Sequence, residues 1–156
     1  MLKENDKVNI DIELTDTKNE TIKLKDLLSQ KIVLYFYPKD LTPGCTTEAC
    51  EFRDFNKDIT DLGYNVIGVS SDDHKSHLKF IDKHNLNFDL FSDSSHNVQE
   101  HFGVWVEKSM YGKKYMGTQR STFILDTDGT ILKVFEKAKS SGHAKEVFEY
   151  LKSIDK

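Results

Sequence analysis

An unbroken apolar run over residues 32–37 is the strongest fold signal in this chain. A run that is apolar on both faces predicts a central strand with other layers packed on either side. Turn residues follow. Apolar side chains then recur at spacings of three and four, which predicts a helix over residues 45–62 that Gly63 ends. The chain therefore passes from a buried strand into a helix, and Cys45 lies where that helix begins.

The position of Cys45 favours thiol chemistry. The amino end of a helix has N–H groups without partners and the positive end of the helix dipole, and both favour the thiolate form of a cysteine. The thiolate is the nucleophilic form. Cys50 is the only other cysteine in the chain and follows five positions later on the same predicted helix. The sequence thus places both of its thiols on the first turns of one helix.

Length and charge limit the classes of function. The chain has 156 residues, and we predict a single domain over residues 1–156. The formal net charge is −4 with both signs interspersed, so we expect neither nucleic acid nor an acidic membrane as a partner. No apolar run is long enough to span a membrane, and the first seven residues lack a signal-peptide pattern. We therefore expect a cytoplasmic protein, where cysteine pairs more often serve catalysis or bind metals than form permanent disulfides.

The other predicted elements alternate between strands and helices. Strands are predicted over residues 8–14, 20–23, 65–70, 88–91, 122–125 and 130–135. Helices are predicted over residues 25–29, 72–84, 95–102 and 143–154, the second of them capped by Ser71. The turn Asp128-Gly129 joins the last two strands, and Lys113-Lys114 is expected in a surface loop. This order predicts an α/β fold, a three-layer sandwich with a mixed central sheet and an N-terminal β-hairpin extension.

Five residues carry a resemblance to a known family. Pro38, Thr42 and Cys45 form the pattern Pro-x-x-x-Thr-x-x-Cys, Cys50 follows, and Arg120 precedes Ser-Thr-Phe. On these residues, and over nearly the whole chain, the sequence resembles peroxiredoxins of the bacterioferritin comigratory protein (Bcp) or PrxQ type. The resemblance implies a thioredoxin-like fold. It also implies a thiol-dependent peroxidase that reduces hydrogen peroxide and organic hydroperoxides.

Peroxide reduction requires three groups, and the sequence offers a candidate for each. A thiolate attacks one oxygen, donors stabilise the charge on the departing oxygen, and a second thiol removes the sulfenic acid formed. Cys45 is the predicted attacking thiol, because it lies nearest the helix start. The backbone N–H groups of Gly44 and Cys45 are expected to point at the peroxide, and Thr42 to supply a hydroxyl.

Three further residues complete the predicted site. Pro38 is expected to shape and dry the wall beside the sulfur. Arg120 is the activating arginine that the resemblance implies, and Glu48, one turn after Cys45, is expected to orient its guanidinium. Structural alternatives are the end of a strand for Pro38, a helix cap for Thr42 and a surface ion pair for Arg120.

Cys50 is the predicted resolving thiol, but helix geometry separates it from Cys45. Five helical residues place two Cα atoms roughly 8.5 Å apart, beyond the limit of about 7 Å for a disulfide. Our hypothesis is that the first turns of the helix unwind after Cys45 is oxidised, so that an intramolecular disulfide closes. The alternative is that Cys50 is a small buried apolar residue, in which case an external thiol would resolve the sulfenic acid.

Other chemistries find less support in the sequence. His74 and His77 have a spacing that can hold a metal, but no further cysteine or histidine lies close in sequence, so a solvated helix face is predicted for both. We expect no metal or organic cofactor. The chain lacks the Cys-x-x-Cys motif of disulfide oxidoreductases. The remaining functional alternative is a non-catalytic, thioredoxin-like redox-sensing or binding module.

The resemblance also suggests partners and surroundings for the site. It implies a hydroperoxide substrate, recycling by thioredoxin or a similar dithiol, and a monomeric protein. It places the segment over residues 102–117 close to the active site, which would make Trp105 a fluorescent reporter of oxidation.

Overall fold

The structure is a computed structural model that describes residues 1–154. Within this range the strands are, in chain order, β1 (Glu13–Thr15), β2 (Thr21–Lys23), β3 (Lys31–Phe36), β4 (Tyr64–Ser70), β5 (Asp89–Ser92), β6 (Trp105–Met110), β7 (Lys113–Thr118), β8 (Ser121–Leu125) and β9 (Ile131–Phe135). The helices are α1 (Pro43–Asp61), α2 (His74–His84), α3 (Asn97–Phe102) and α4 (His143–Ile154), with a short 3-10 turn over Leu24–Leu27. The predicted domain, 1–156, includes residues 155 and 156 outside this range, and its extent stays a prediction.

The central sheet is mixed, as predicted. In the described residues its strand order is β2-β1-β5-β4-β3-β8-β9. The strands β3, β4 and β5 are parallel, and α1 and α2 cross between them. The strand β8 joins β3 in the antiparallel sense, and β9 follows at the edge. The N-terminal hairpin of β1 and β2 is paired to β5 through Thr15 and Ser92, which confirms the predicted extension.

The strand β3 lies in the middle of the sheet and is buried on both faces. Val33, Tyr35 and the adjoining Tyr37 face one core, which α1, α4 and Phe80 of α2 share. Leu34 and Phe36 face a second core, to which α3, the 3-10 turn and the N-terminal segment contribute. The alternation of side chains along a strand produces these two faces. The predicted three layers are therefore confirmed.

The predicted strand over residues 8–14 is wrong for most of its length. The side-chain oxygen of Asn9 accepts a hydrogen bond from the Asp11 backbone at 3.0 Å, which bends the chain. Val8 donates its backbone N–H to Gly129 in the turn of the C-terminal hairpin. The apolar residues Ile10 and Ile12 still pack on the second core, so the alternating pattern is satisfied without a strand.

The surface loop expected around Lys113-Lys114 is instead part of a hairpin. The strands β6 and β7 pair in register from Trp105 with Thr118 to Met110 with Lys113. The two-residue turn between them, Tyr111 and Gly112, has φ angles of 52° and 78°, as in a type I′ turn. Tyr-Gly is not among the residue pairs that usually indicate this turn, and the expectation was therefore wrong.

The helix α2 differs from its prediction in two respects. Its cap is Asp73, whose side chain accepts a hydrogen bond from Ser76 N at 2.8 Å, whereas the hydroxyl of Ser71 accepts one from Gln99 of α3. His77 does not lie on a solvated face, because its side chain is fully buried against the sheet. His74 is half-buried. Periodicity alone did not separate these two sides of the helix.

The carboxyl end of β3 and the amino end of α1 meet at one edge of the sheet, and β8 begins beside them. This junction holds the cysteines and Arg120. Among residues 1–154, none of the helices is both long and apolar enough to cross a membrane.

Candidate active site

The connection between β3 and α1 is a tight turn that ends at Thr42. Leu41 has a φ of 64°, a left-handed conformation that is uncommon for a leucine. Thr42 is the N-cap of α1, Pro43 is the first helical residue, and the Thr42 hydroxyl donates to Lys39 O at 2.9 Å rather than capping the helix. Pro at the first helical position is favourable, since its missing N–H would have no helical acceptor.

Cys45 lies in the first turn of α1 and is only 2% exposed. The first helical hydrogen bond of this segment runs from Thr46 N to Thr42 O at 2.8 Å. The N–H groups of Gly44 and Cys45 come before it and have no acceptor within the helix. The sulfur thus lies beside free backbone donors at the positive end of the helix dipole, as predicted from the sequence.

Arg120 joins Cys45 to Glu48. Its Nη2 donates to Cys45 Sγ at 3.3 Å, and its Nη1 donates to Glu48 Oε1 at 2.6 Å. The Arg120 side chain is 16% exposed and that of Glu48 is fully buried. Burial opposes the charge on Arg120, but Glu48 and Cys45 outweigh it and raise the pKa of Arg120 above its ordinary value. Arg120 therefore contacts both residues with which it is predicted from the sequence to act.

Glu48 is held in an unusual environment for a carboxyl group. Burial raises the pKa of Glu48 to about 7, against the opposing effect of Arg120. Within residues 1–154, no group forms a hydrogen bond with its second oxygen, Oε2. The aromatic side chain of Tyr35 lies in the same buried region, and burial, followed by the charge of Glu48, raises the pKa of Tyr35. Glu48 therefore changes its charge near neutral pH, beside the cysteine and its arginine.

A loop between β9 and α4 packs against this site. Arg120 O accepts a hydrogen bond from Ala138 N at 2.8 Å, which fixes the backbone at the start of β8. Ser140 lies over Gly44: a Cβ on Gly44 would be 2.7 Å from Ser140 Oγ and 3.4 Å from Arg120 Nη2. Gly44 thus lets the loop and the arginine approach the helix start closely.

Cys50 is half-buried and lies in the uninterrupted helix α1, and both cysteines are free thiols. Two contacts hold this part of the helix in place. The Thr47 hydroxyl donates to Pro43 O at 3.1 Å, and Glu51 Oε1 accepts a hydrogen bond from Gly142 N at 2.8 Å. The conformation that the structure describes therefore keeps the thiols apart, and a disulfide between them would require local unwinding.

The β6–β7 hairpin adjoins the site, in the region that the family resemblance indicates. Pro38, Trp105, Lys108 and Met116 line a shallow groove beside the turn before α1. The Trp105 ring stacks on His96 with centroids 3.7 Å apart. Burial, followed by the charge of Arg120, lowers the pKa of Lys108. The indole is thus within the same groove as Pro38.

Several residues around the site have no clear signal in the sequence. Ser140 and Glu51 have no motif to reveal them, because their neighbours come from distant parts of the chain. Asp40 and His77 form a buried pair, with Nδ1 and Oδ2 2.7 Å apart. A histidine on the apolar side of a helix is a weak signal of such a pair. In the part of the chain that the structure describes, no three His, Cys, Asp or Glu residues are grouped as a metal site would require.

The arrangement brings together a buried thiol, backbone N–H donors and a guanidinium that contacts the sulfur. An oxygen bound next to the sulfur would face these donors as it gained negative charge. The site therefore fits a nucleophilic sulfur that attacks a polar bond. Because Thr42 donates its proton to Lys39 O, its oxygen is available to accept a hydrogen bond from a bound molecule.

Comparison with known proteins gives a consistent family. Residues 6–134 match the model of the AhpC/TSA family. The peroxiredoxin Bcp of Bacillus subtilis is 48% identical over 144 residues, which is 92% of this chain and 92% of that protein. The peroxiredoxin Bcp of Escherichia coli is 44% identical over 139 residues, 89% of each chain.

Solved structures agree with this result. Peroxiredoxin Q of Xanthomonas campestris superposes with a TM-score of 0.87 at 38% identity, over 94% of this chain and 93% of that one. PrxQ of Xylella fastidiosa gives a TM-score of 0.91 at 36% identity, over 98% of this chain and 97% of that one. A further Xanthomonas campestris structure is of a bacterioferritin comigratory protein described for its alkyl peroxide reduction activity. The fold is thioredoxin-like, and the chain belongs to the AhpC/TSA family, among the peroxiredoxins of the Bcp and PrxQ type.

Proposed function

We propose that this protein is a thioredoxin-dependent peroxidase in which Cys45 reduces hydrogen peroxide and organic hydroperoxides. The observation that carries the proposal is the contact of Arg120 with both Cys45 Sγ and Glu48 Oε1, at 3.3 and 2.6 Å. A positive charge held against a buried sulfur stabilises the thiolate and then the charge that develops on the peroxide. Membership of the peroxiredoxin family supports the same chemistry.

The first step is an attack of the Cys45 thiolate on one oxygen of the hydroperoxide. An S–O bond forms and the O–O bond breaks, so the sulfur is oxidised to a sulfenic acid and the peroxide is reduced. The other oxygen leaves with its negative charge and takes a proton to become water or an alcohol. In this proposal the N–H groups of Gly44 and Cys45 and the guanidinium of Arg120 face the reacting oxygens. Thr42 Oγ1 accepts a hydrogen bond from the O–H of the peroxide, and Pro38 shields this wall from water.

The second step joins Cys50 to Cys45. The Cys50 thiolate attacks the sulfenic sulfur, an S–S bond forms and hydroxide leaves, which takes a proton to become water. The two thiols belong to one unbroken helix, so the turns between Pro43 and Glu51 unwind before the bond closes. Thioredoxin then reduces the disulfide by thiol exchange and returns both thiols.

We further propose that one domain over residues 1–156 performs this cycle as a monomer in the cytoplasm. Both thiols lie in one helix, and every group assigned above comes from a single chain. A reducing compartment with thioredoxin would keep the pair turning over. Light scattering on the reduced and oxidised protein tests the monomer: an oxidised form that became a covalent dimer would contradict an intramolecular disulfide.

The test of the proposed function uses fully reduced protein and one equivalent of hydrogen peroxide. The expected result is loss of two thiols and a mass decrease of two hydrogens, as the Cys45–Cys50 disulfide requires. Cys45→Ser should keep its remaining thiol. Cys50→Ser should lose one thiol and gain one oxygen, and should react with peroxide at a rate within about twofold of the unchanged protein. Slow thiol loss in the unchanged protein would contradict the peroxidase.

Turnover separates the enzyme from the redox-sensing alternative. With thioredoxin, thioredoxin reductase and NADPH present, a peroxidase consumes many equivalents of peroxide per protein. A sensor would be oxidised once and then stop. A steady rate of NADPH consumption that vanishes in Cys45→Ser supports the enzyme.

A further inference from the structure

We infer that Asp40 is a positioning residue for peroxide reduction: with Tyr37, Ser76 and His77 it fixes the turn that carries Pro38 and Thr42. These four residues are called the Asp40 cluster. The inference rests on the proposed function, since Pro38 and Thr42 are placed in the peroxide site there. None of the four has a role in the reaction assigned above. Asp40 is 5% exposed, and Tyr37 and His77 are fully buried.

Three polar side chains contact the Asp40 carboxyl group. Tyr37 Oη donates to its Oδ1 at 2.5 Å, and Ser76 Oγ donates to its Oδ2 at 2.8 Å. His77 Nδ1 lies 2.7 Å from the same Oδ2. Burial raises the pKa of Tyr37, so its hydroxyl keeps the proton that it donates. A carboxylate with this number of donors is fully satisfied and firmly held, whereas an unsatisfied buried charge would be very costly.

His77 also extends the cluster to the sheet. Its Nε2 lies 3.1 Å from Phe91 O, and a carbonyl only accepts, so Nε2 carries a hydrogen and donates it. The contact of Nδ1 with Asp40 and that of Nε2 with Phe91 therefore link the turn to α2 and β5.

The backbone of the turn explains why such an anchor is needed. Leu41, directly after Asp40, has a φ of 64° and is 40% exposed, so the turn holds a strained residue without burying its side chain. Asp40 N donates to Asp72 Oδ2 at 2.8 Å, and Tyr37 N donates to Val69 O at 3.1 Å. Strained conformations persist only where the surroundings hold them, and these contacts lie immediately before the strain.

The cluster divides the site into a part that stays and a part that moves. The contacts of Asp40 go to Tyr37 directly after β3, to α2 and to the segment after β4, and none of its side-chain partners in the described residues belongs to α1. Unwinding of α1 beyond Thr42 therefore breaks no bond of the cluster. Pro38 and Thr42 keep their places while Cys45 moves toward Cys50. When the disulfide is reduced, the first turns of α1 re-form and Cys45 returns to its place beside Pro38 and Thr42.

The test separates the two chemical steps. Stopped-flow fluorescence of Trp105, with quenched samples analysed by mass, gives the second-order rate constant of Cys45 oxidation and the first-order rate constant of disulfide closure. Asp40→Asn should lower the first at least tenfold and leave the second within about twofold. The matched control is Asp82→Asn, an exposed aspartate on α2, which should change neither. A purely structural role would lower the melting temperature without this split between the steps.

A milder variant keeps the test valid if Asp40→Asn does not fold. Tyr37→Phe removes one hydroxyl and retains the aromatic ring, and should lower the oxidation rate constant about two- to fivefold, again without slowing closure. Hydrogen exchange on the disulfide form is an independent measurement. The Asp40 amide should stay protected, whereas the amides of residues 46–51 should lose protection.

The outcomes distinguish this inference from the proposed function. If the unchanged protein forms the disulfide rapidly but both variants match it in the oxidation step, Asp40 is not a positioning residue and the peroxidase stands. The same conclusion follows if the Asp40 amide exchanges as fast as those of residues 46–51 in the disulfide form. If the unchanged protein itself fails to lose two thiols, the proposed function fails instead.

Discussion

The guanidinium of Arg120 contacts the sulfur of Cys45 across 75 residues of sequence, with Nη2 3.3 Å from Sγ. The strand β8 brings the arginine to this position, because it pairs with β3 and therefore begins beside the end of that strand. The same guanidinium also binds Glu48, so its plane is fixed by two partners. A planar, forked donor fits this double contact, and a lysine ammonium does not.

Arg120→Lys should therefore slow the reaction of Cys45 although the charge is kept. We expect the second-order rate constant with hydrogen peroxide to fall at least tenfold in Arg120→Lys. In Arg120→Met this rate constant should fall by a factor of about 100 to 1,000, the usual loss when a positioned transition-state donor is removed. Competition with a peroxide-consuming enzyme of known rate measures these constants.

The control for this prediction is Arg53→Lys, a substitution on α1, the helix that carries Cys45. Arg53 Nη1 donates to His84 O at 2.7 Å, so its guanidinium is held at the end of α2. The rate of Cys45 oxidation in Arg53→Lys should match that of the unchanged protein. Equal rates in Arg120→Lys and the unchanged protein would mean that charge alone, without the double contact, accounts for the role of Arg120.

The stability of the protein should depend on the ionisation of Glu48. Its pKa is raised from 4.5 to about 7 by burial, so the folded protein holds a proton that the unfolded chain releases. The stabilisation is complete below about pH 4.5 and is lost as pH rises through 7. One unit of pKa corresponds to about 1.4 kcal/mol. Relative to Glu48→Gln, the unchanged protein should lose about 3 kcal/mol of unfolding free energy between pH 5 and 8.

Urea unfolding at a series of pH values measures this difference. Gln mimics the protonated carboxyl, so the variant should approach the unchanged protein at pH 5 and exceed its stability at pH 8. Glu149→Gln, an exposed position on α4, should follow the unchanged protein at every pH. If the unfolding free energies of Glu48→Gln and of the unchanged protein changed in parallel with pH, Glu48 would already be ionised at pH 5 in the folded protein.

The contrast between Cys45 and His77 shows what the sequence can predict here. Cys45 follows a run of apolar residues and precedes a helical period, and both patterns are local, so the strand, the helix and the thiol at their junction were predicted correctly. The environment of His77 depends on Asp40, 37 positions away, and on Phe91 in β5. Local spacing carries no information about such partners, and the histidine was wrongly placed in solvent.

The β6–β7 hairpin was missed for a different reason. Its strands are mostly exposed, and their side chains do not alternate between apolar and polar. Its turn, Tyr111-Gly112, lacks the usual Asn or Asp. In contrast, the Asp128-Gly129 hairpin has a fully buried strand, a partly buried strand and a typical turn, and it was predicted correctly. Hydrophobic patterns in the sequence therefore predict strands that pack against the core, and they do not predict strands that lie on the surface.

Gly44 should be needed for the close packing of Ser140 and Arg120 at the helix start. In Gly44→Ala the new Cβ would lie 2.7 Å from Ser140 Oγ, so Ser140 has to shift, and its loop is bonded to Arg120 O through Ala138 N. We expect a three- to tenfold slower oxidation of Cys45, measured by stopped flow. Ser140→Gly removes the obstructing hydroxyl, so the double variant should recover most of the rate. If the double variant is as slow as Gly44→Ala, the contact with Ser140 is not the cause.

Glu51 should control how readily α1 unwinds. Its Oε1 accepts a hydrogen bond from Gly142 N at 2.8 Å, which ties the helix to the loop before α4 next to Cys50. Hydrogen bonds to charged groups are worth about 1.5 to 3 kcal/mol when buried and less in a half-exposed position such as this one. Glu51→Ala should therefore speed disulfide closure about three- to tenfold while leaving the oxidation step unchanged. It should also reduce overoxidation of Cys45 at high peroxide, because disulfide closure competes with attack of the sulfenic acid on a second peroxide. Stopped flow and intact mass measure the two effects. Asp54→Ala, one turn later and exposed, is the control, and an unchanged closure rate in Glu51→Ala would show that this contact does not limit unwinding.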